Sequence, residues 1–445
     1  MKTRITLIIA ALLIGFNVSY AQQDEECVAN LQVFSDLAKQ KRYDEAYEPW
    51  MLVRNKCPKF NSAIYIYGER ILKHKEKSAE GQDLLTLLKD HIALLNKGME
   101  FYPKKYPVGG TKSEITQIKY DNKALFNMDD KALYNEFDAA YKEDLKSFVN
   151  PKALYTYFSL AVDLYDAGAK TSDDAQKMFD KFDDVSEKVE IEVSAYQDKL
   201  NKLVAKEEAG ETLSKKDGQR KRSYESYLKN YDLIESGMNK KIGDRANCEV
   251  LIPIYQKDFE GNKDNPVWLQ RAMNKMYAKG CKDDPMFVKI VEQKNAIEPN
   301  ADTAFYLYLL TGEQKYFDQT VQLETDPIKK AKLYKKIARD FKDKGSYGKA
   351  RQYYQEALKL NPSDRKPHLS IAAMYAKSAN RCGDTNFNKR AVFWLAAQEA
   401  RKGGGSGKNY EAKAPTRAEI FNSGMAGKTI KIGCWIGRSV KVPTL

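Results

Sequence analysis

Between Ala331 and Asp364 the chain carries a spacing that few folds can accommodate. Ala350, Tyr354 and Ala357 are separated by four and then three residues, so on a helix they share one stripe, flanked by Leu358 and Leu360. Asn361-Pro362 ends that helix, because a residue before proline is pushed out of the α region and proline has no N–H to donate. Upstream, Tyr334, Ile337, Ala338 and Phe341 form a second stripe that Gly345 terminates. Two amphipathic helices therefore fold into a hairpin, with alanines letting the backbones approach and Tyr334, Phe341, Tyr347 and Tyr354 filling the space around them. A unit of this kind cannot bury its apolar stripe alone; it needs a neighbour of the same kind. The expected class is all-α, a solenoid of helical hairpins rather than a globule around one core.

Nine of these positions, Tyr334, Ile337, Ala338, Phe341, Tyr347, Ala350, Tyr354, Ala357 and Pro362, fall where the tetratricopeptide repeat places its aromatic, aliphatic, small and proline residues, and the unit resembles that family closely. His368, Ile371, Ala372 and Tyr375 continue the phase, then an insertion from Ala379 to Thr385 interrupts it. Near the other end, Tyr43, Ala46, Trp50 and Pro58 keep the spacings of Tyr347, Ala350, Tyr354 and Pro362, with Pro49 expected to kink its helix. The stretch from Asp173 to Lys241 is charged and poor in proline and glycine, and reads as two long antiparallel helices joined by a loop from Glu211 to Gly218. At the C-terminus, TIKIGCWIGRSVKV alternates apolar and polar residues as a β-hairpin does. That segment, preceded by Pro415-Thr416-Arg417-Ala418-Glu419-Ile420-Phe421, resembles exported tetratricopeptide proteins of Bacteroidota that end in a Cys-Trp-Ile hairpin. The expected divisions are a signal peptide at 1–21, degenerate repeats at 22–172, the charged hairpin at 173–246, C-terminal repeats at 247–400, and a linker with a β-hairpin tail at 401–445.

The leader reading rests on Lys2 and Arg4 before an apolar run from Ile5 to Phe16, followed by Ser19-Tyr20-Ala21 as a small-residue cleavage site. No cysteine follows the cut, so periplasm or cell envelope is expected and a lipoprotein is not. Export makes disulfides the expected state of the six cysteines. Cys27 opens a helix and Cys57 closes its antiparallel partner; Cys248 and Cys281 bracket a second helical pair; Cys382 and Cys434 remain to join one another. There is no CxxC, and His74, His91 and His368 lie far apart, so neither a metal nor a cofactor is expected.

The 74 Lys and Arg exceed the 61 Asp and Glu by 13. In an exported chain that excess suits acidic protein segments or anionic envelope surfaces better than nucleic acid. Gly403 to Asn409 imitates a phosphate loop, but Lys402 stands where its first glycine belongs and Asn409 replaces the metal-binding hydroxyl, so a flexible linker is expected. No nucleophile elbow, zinc helix or dinucleotide fingerprint appears, and three scattered histidines leave few acid–base options. The enzyme alternative is a carboxylate site in the irregular stretch 106–173; a structural subunit of an envelope complex is a further alternative. The favoured reading is a non-enzymatic adaptor. Lys332, Lys335, Arg339 and Lys342 recur on the helical face opposite Tyr334 and Phe341, and the family resemblance places that row on a concave groove, with Lys366 and Lys377 following in the next unit. The asparagines of the family's carboxylate clamp are missing. Reversing Lys335 and Arg339 together is expected to weaken binding and leave the fold intact.

Overall fold

The computed structural model describes residues 25–445, so the expected signal peptide lies outside the described residues. The fold is predominantly helical, and among the described residues strand is confined to one antiparallel pair at the C-terminus. Two compact units form: the chain up to Val189 together with Ile234–Ile242, and Glu190–Leu233 together with Gly243–Leu445. The two long helices expected from composition are present as α9 (Ser172–Glu208) and α10 (Lys215–Ile242), and their residues are divided between the units.

The first unit begins with α1 (25–39) and α2 (Tyr43–Lys56), the latter running through Pro49. They are followed by α3 (Ala63–Glu76), α4 (Gly81–Phe101) and α5 (Val108–Asp121). The Ala46–Trp50 spacing serves as the sequence pattern implies: both side chains are fully buried. Trp50 donates its Nε1–H to the Ile64 carbonyl at 2.7 Å, and its indole lies against Gly68, where a Cβ would fall 2.7 Å from the ring. Gly98 gives the Tyr106 ring the same close seat at 2.9 Å. After the short α6 (Lys123–Phe126), α7 (Asp130–Glu143) and α8 (Pro151–Ala167) enclose Phe137, Phe148 and Tyr157, all fully buried. Asn150 caps α8 by accepting from the Lys152 and Ala153 N–H groups, with Pro151 at the first helical position.

In the second unit the same start signal recurs. Asn265-Pro266, Asp284-Pro285 and Asp326-Pro327 open α12 (Pro266–Ala278), α13 (Pro285–Ile297) and α16 (Pro327–Asp343), each side-chain oxygen accepting from the first-turn backbone N–H groups. Around them stand α11 (Cys248–Asn262), α14 (Ala301–Thr311) and α15 (Gln314–Leu323). The hairpin expected from the alanine and aromatic spacing is α16 with α17 (Tyr347–Leu360). Ala338, Ala350 and Ala357 are buried, with Tyr347 and Tyr354 beside them, and Phe341 stacks on Tyr353 at 5.6 Å. Next come α18 (Lys366–Cys382), α19 (Asn386–Lys402), the short α20 (Lys408–Glu411) and α21 (Arg417–Ser423).

Strands β1 (Thr429–Ile432) and β2 (Arg438–Lys441) pair in register Ile430 to Val440, and their inward residues join one core with Ala338, Ala350, Tyr375 and Leu395. The tail thus covers apolar helix faces that would otherwise meet water. Trp435 is its anchor, packed on Tyr347 and Tyr375 and donating to Ser378 Oγ at 2.9 Å. Arg351 lies over the indole and donates to the Ile436 carbonyl at 2.6 Å.

The cysteines form the pairs Cys27–Cys57, Cys248–Cys281 and Cys382–Cys434, with Cα separations of 6.5, 5.5 and 5.2 Å. The glycine segment departs from the expected flexible linker. A Cβ at Gly403 would meet Leu369 at 2.6 Å, and one at Gly407, in the left-handed region with φ +71°, would meet the Ala397 carbonyl at 2.9 Å. These glycines are required by close packing and turn geometry, not by a need for slack.

Candidate functional site

The basic row on α16 has two kinds of member. Lys332 pairs with Glu190 of α9 at 2.7 Å, and at the start of α18 Lys366 pairs with Asp232 of α10. Lys335 pairs with Asp364, which follows the helix stop and is only 9% exposed. Lys342 lies 3.8 Å from Asp343. Arg339 and Lys377 stand apart: both are exposed, and among the described residues no carboxylate pairs with either. The face that the sequence pattern offers to a foreign segment is therefore partly used by the chain itself.

The outer half of the long hairpin is held to these helices by more than charge. Asn361, the residue of the helix stop, is buried; its amide donates to Gln197 Oε1 at 2.9 Å and its carbonyl oxygen accepts from Asn201 at 3.1 Å. Asn201 in turn accepts the Ser363 N–H at 3.0 Å. Within the same hairpin Tyr196 stacks on Tyr227 at 4.8 Å, with Tyr231 fully buried alongside. Lys336, which the periodic row omits, pairs with Asp302 at 2.5 Å and lies over the Tyr306 ring. Burial works against the Asp302 charge, but Lys336 outweighs it and holds the carboxyl below its ordinary value.

A second ionic centre closes the other face of α18. Glu399, 6% exposed, accepts from His368 Nδ1 at 2.7 Å and from Lys402 at 2.9 Å, with Arg438 of β2 at 3.6 Å. Burial pushes this carboxyl up, yet the bonds from His368 and Lys402 prevail and hold it at about 2.

The irregular stretch proposed as an enzyme alternative holds one notable cluster. Tyr157 donates to Asp138, and Lys181 donates to the Tyr157 hydroxyl and to Asp138 at 3.3 Å. Burial first, then the bond to Asp138, pushes the Tyr157 phenol far up. Tyr157 is fully buried and the Lys181 side chain is 9% exposed, while the Asp138 side chain is 21% exposed and also pairs with the exposed Lys142 at 2.7 Å.

One group in the described residues has the composition of a metal site: Glu69, His91 and Glu114, whose ligating atoms all lie within 4.8 Å of one another. Sequence spacing conceals it, because each residue comes from a different helix. No family model matches the chain, and no curated protein sequence matches it.

Proposed function

We propose that the chain is a non-enzymatic adaptor or scaffold of the bacterial cell envelope, built from tetratricopeptide-type hairpins, which holds a carboxylate-bearing protein segment against its C-terminal helical pairs. The observation that carries this reading is the contrast within the basic row. Lys332, Lys335 and Lys366 each pair with a carboxylate of this chain, whereas Arg339 and Lys377, on the first helices of successive pairs, are exposed cations with no carboxylate paired to either among the described residues. An exposed guanidinium with its donors uncommitted suits a bidentate bond to a carboxylate. Export is supported by the three cysteine pairs, which an oxidising compartment maintains, and by the leader pattern at 1–21. No described helix is long and apolar enough to cross a membrane.

The test begins with a photo-crosslinking residue at Ala373, between the two cations in sequence, in intact cells. The captured protein is then purified and titrated against the wild-type chain and the Arg339→Glu/Lys377→Glu variant. Loss of two charge-assisted contacts lowers affinity by at least about tenfold at low salt, since about 1.4 kcal/mol suffices. The difference shrinks as salt screens exposed charge. Equal affinity of the two chains at low salt refutes this binding face.

A further inference from the structure

We propose that Glu69, His91 and Glu114 form a binding site for one divalent transition-metal ion of the zinc class, clamping α3, α4 and α5 together. The three ligands converge from these helices with all ligating atoms within 4.8 Å of one another. Bonds of about 2.0–2.2 Å require a closer set, and the two carboxylates have the freedom to supply it: their side chains are partly exposed while the imidazole is fixed.

The observation that points to a ligand is His91 itself. It is 0% exposed, its Nδ1 lies 2.8 Å from Glu76 Oε1, and its buried Nε2 has no hydrogen-bond partner. A carboxylate only accepts, so Glu76 fixes a proton on Nδ1 and leaves Nε2 of the neutral ring as a lone pair. Glu76, His91 and an ion at Nε2 would make the carboxylate–histidine–metal relay that orients imidazole ligands in metalloproteins. Glu69 is positioned in a similar way. Tyr106, seated against Gly98, donates to Glu69 Oε1 at 2.7 Å.

Without an ion, Lys73 balances the charge, its Nζ lying 2.8 Å from Glu114 Oε1 and 3.3 Å from Glu69 Oε2. That bridge accounts for the two carboxylates but leaves the buried Nε2 unexplained. The Lys73 side chain is 47% exposed on a flexible stem, so an arriving dication can displace it into solvent. One imidazole and two carboxylates select Zn²⁺, Co²⁺, Mn²⁺ or Fe²⁺ over calcium, which takes oxygen ligands only, and over copper(I), which takes thiolates. All six cysteines are paired, so thiolates cannot supply a competing site.

The experiment uses the full mature chain with its disulfides intact, stripped by a chelator and titrated with Zn²⁺ by calorimetry and with Co²⁺ by visible absorption. One ion binds per chain. His91→Gln and Glu114→Gln each lower affinity by at least about 100-fold, and Glu76→Gln by about 10–100-fold through loss of orientation. Lys73→Gln removes the resident cation and raises affinity about tenfold, whereas His74→Gln changes nothing. Should His91→Gln fail to fold, the exposed-side variants Lys73→Gln and Glu114→Gln still decide the matter. Absence of stoichiometric binding by both the wild-type and Lys73→Gln chains overturns the proposal. So does binding that survives in a folded His91→Gln or Glu114→Gln chain.

Discussion

Replacing Gly68 by alanine sets two effects of opposite sign against each other. In an open helix the change favours folding by about 0.5–1 kcal/mol, because glycine loses more backbone entropy than alanine. Here the new Cβ falls 2.7 Å from Trp50 Cζ2 and 2.8 Å from Cε2 and Nε1. The indole has no room to withdraw: it is fully buried, tied to the Ile64 carbonyl, and faced by the Arg54 guanidinium 5.0 Å from its centroid. Overpacking of this kind costs about 1–3 kcal/mol, and weakening the indole bond adds up to about 1 kcal/mol. The net expectation is a loss of about 1–3 kcal/mol from the first unit. Trp50 is that unit's own tryptophan, so urea unfolding followed by its fluorescence, with Trp268, Trp394 and Trp435 changed to phenylalanine, reads the relevant transition. A midpoint lower by about 1 M is expected for a loss near 2 kcal/mol. In a Trp50→Leu background, followed by far-ultraviolet dichroism because no tryptophan remains, the same glycine substitution should cost little or become favourable, which is the coupling a double-mutant cycle detects. A raised midpoint in the wild-type background refutes the reasoning, since α2 and α3 would then be separating without penalty.

The Glu399 carboxyl drops from 4.5 to about 2 on folding, so its ionised form stabilises the native state above pH 4.5 by about 3 kcal/mol, a contribution lost as pH falls toward 2. Glu399→Gln should remove most of that stability at neutral pH and flatten the acid limb of a stability–pH curve between 4.5 and 2; an unchanged limb would show that the carboxylate is not anchored. Lys335→Glu should cost about 2–4 kcal/mol by facing the nearly buried Asp364 with a second carboxylate, while Arg339→Glu stays within about 0.5 kcal/mol, both read from denaturant melts. The paired change Cys27→Ala/Cys57→Ala, which opens a loop of 30 residues, should lower stability by about 3–4 kcal/mol, and a midpoint indistinguishable from wild type would argue against a role in restricting the unfolded chain.

The Lys335–Asp364 pair shows where a helical wheel falls short. Periodicity places Lys335 and Arg339 on one solvent-facing row, and from that the double reversal is expected to leave the fold intact. Arg339 fits the expectation. Lys335 does not, because Asp364 folds back from beyond the helix stop, 29 residues later in the chain, to meet it. What was legible is local. The alanine and aromatic spacings of α16 and α17 and the tail hairpin follow from contacts within a turn or two of helix or between adjacent strands. Cys27–Cys57 and Cys248–Cys281 were legible because the ends of a helical hairpin must converge, and Cys382–Cys434 because those two cysteines were left over. Pairings such as Lys366 with Asp232, 134 residues apart, leave no trace in any window of sequence.

Asn361 shows why the remainder was hidden. In sequence, Asn361-Pro362 is punctuation, and its role in ending α17 is satisfied by backbone geometry alone. A polar side chain at a helix stop is ordinarily left to water. Here it is buried and occupied at both ends, with Gln197 accepting from the amide and Asn201 donating to its oxygen, so the end of a repeat becomes a polar docking point for the long hairpin. Buried amides of this kind constrain geometry more than they stabilise, since their bonds replace equally good bonds to water. The part of the hairpin that belongs to the second unit meets its helices through a few directional contacts and the pairs at Lys332 and Lys366. The same residues that leave Arg339 and Lys377 as the row's exposed cations also determine how much of the repeat face a partner can reach. A partner that binds there must therefore either fit beside the hairpin or compete with Glu190 and Asp232 for lysines that already have carboxylates.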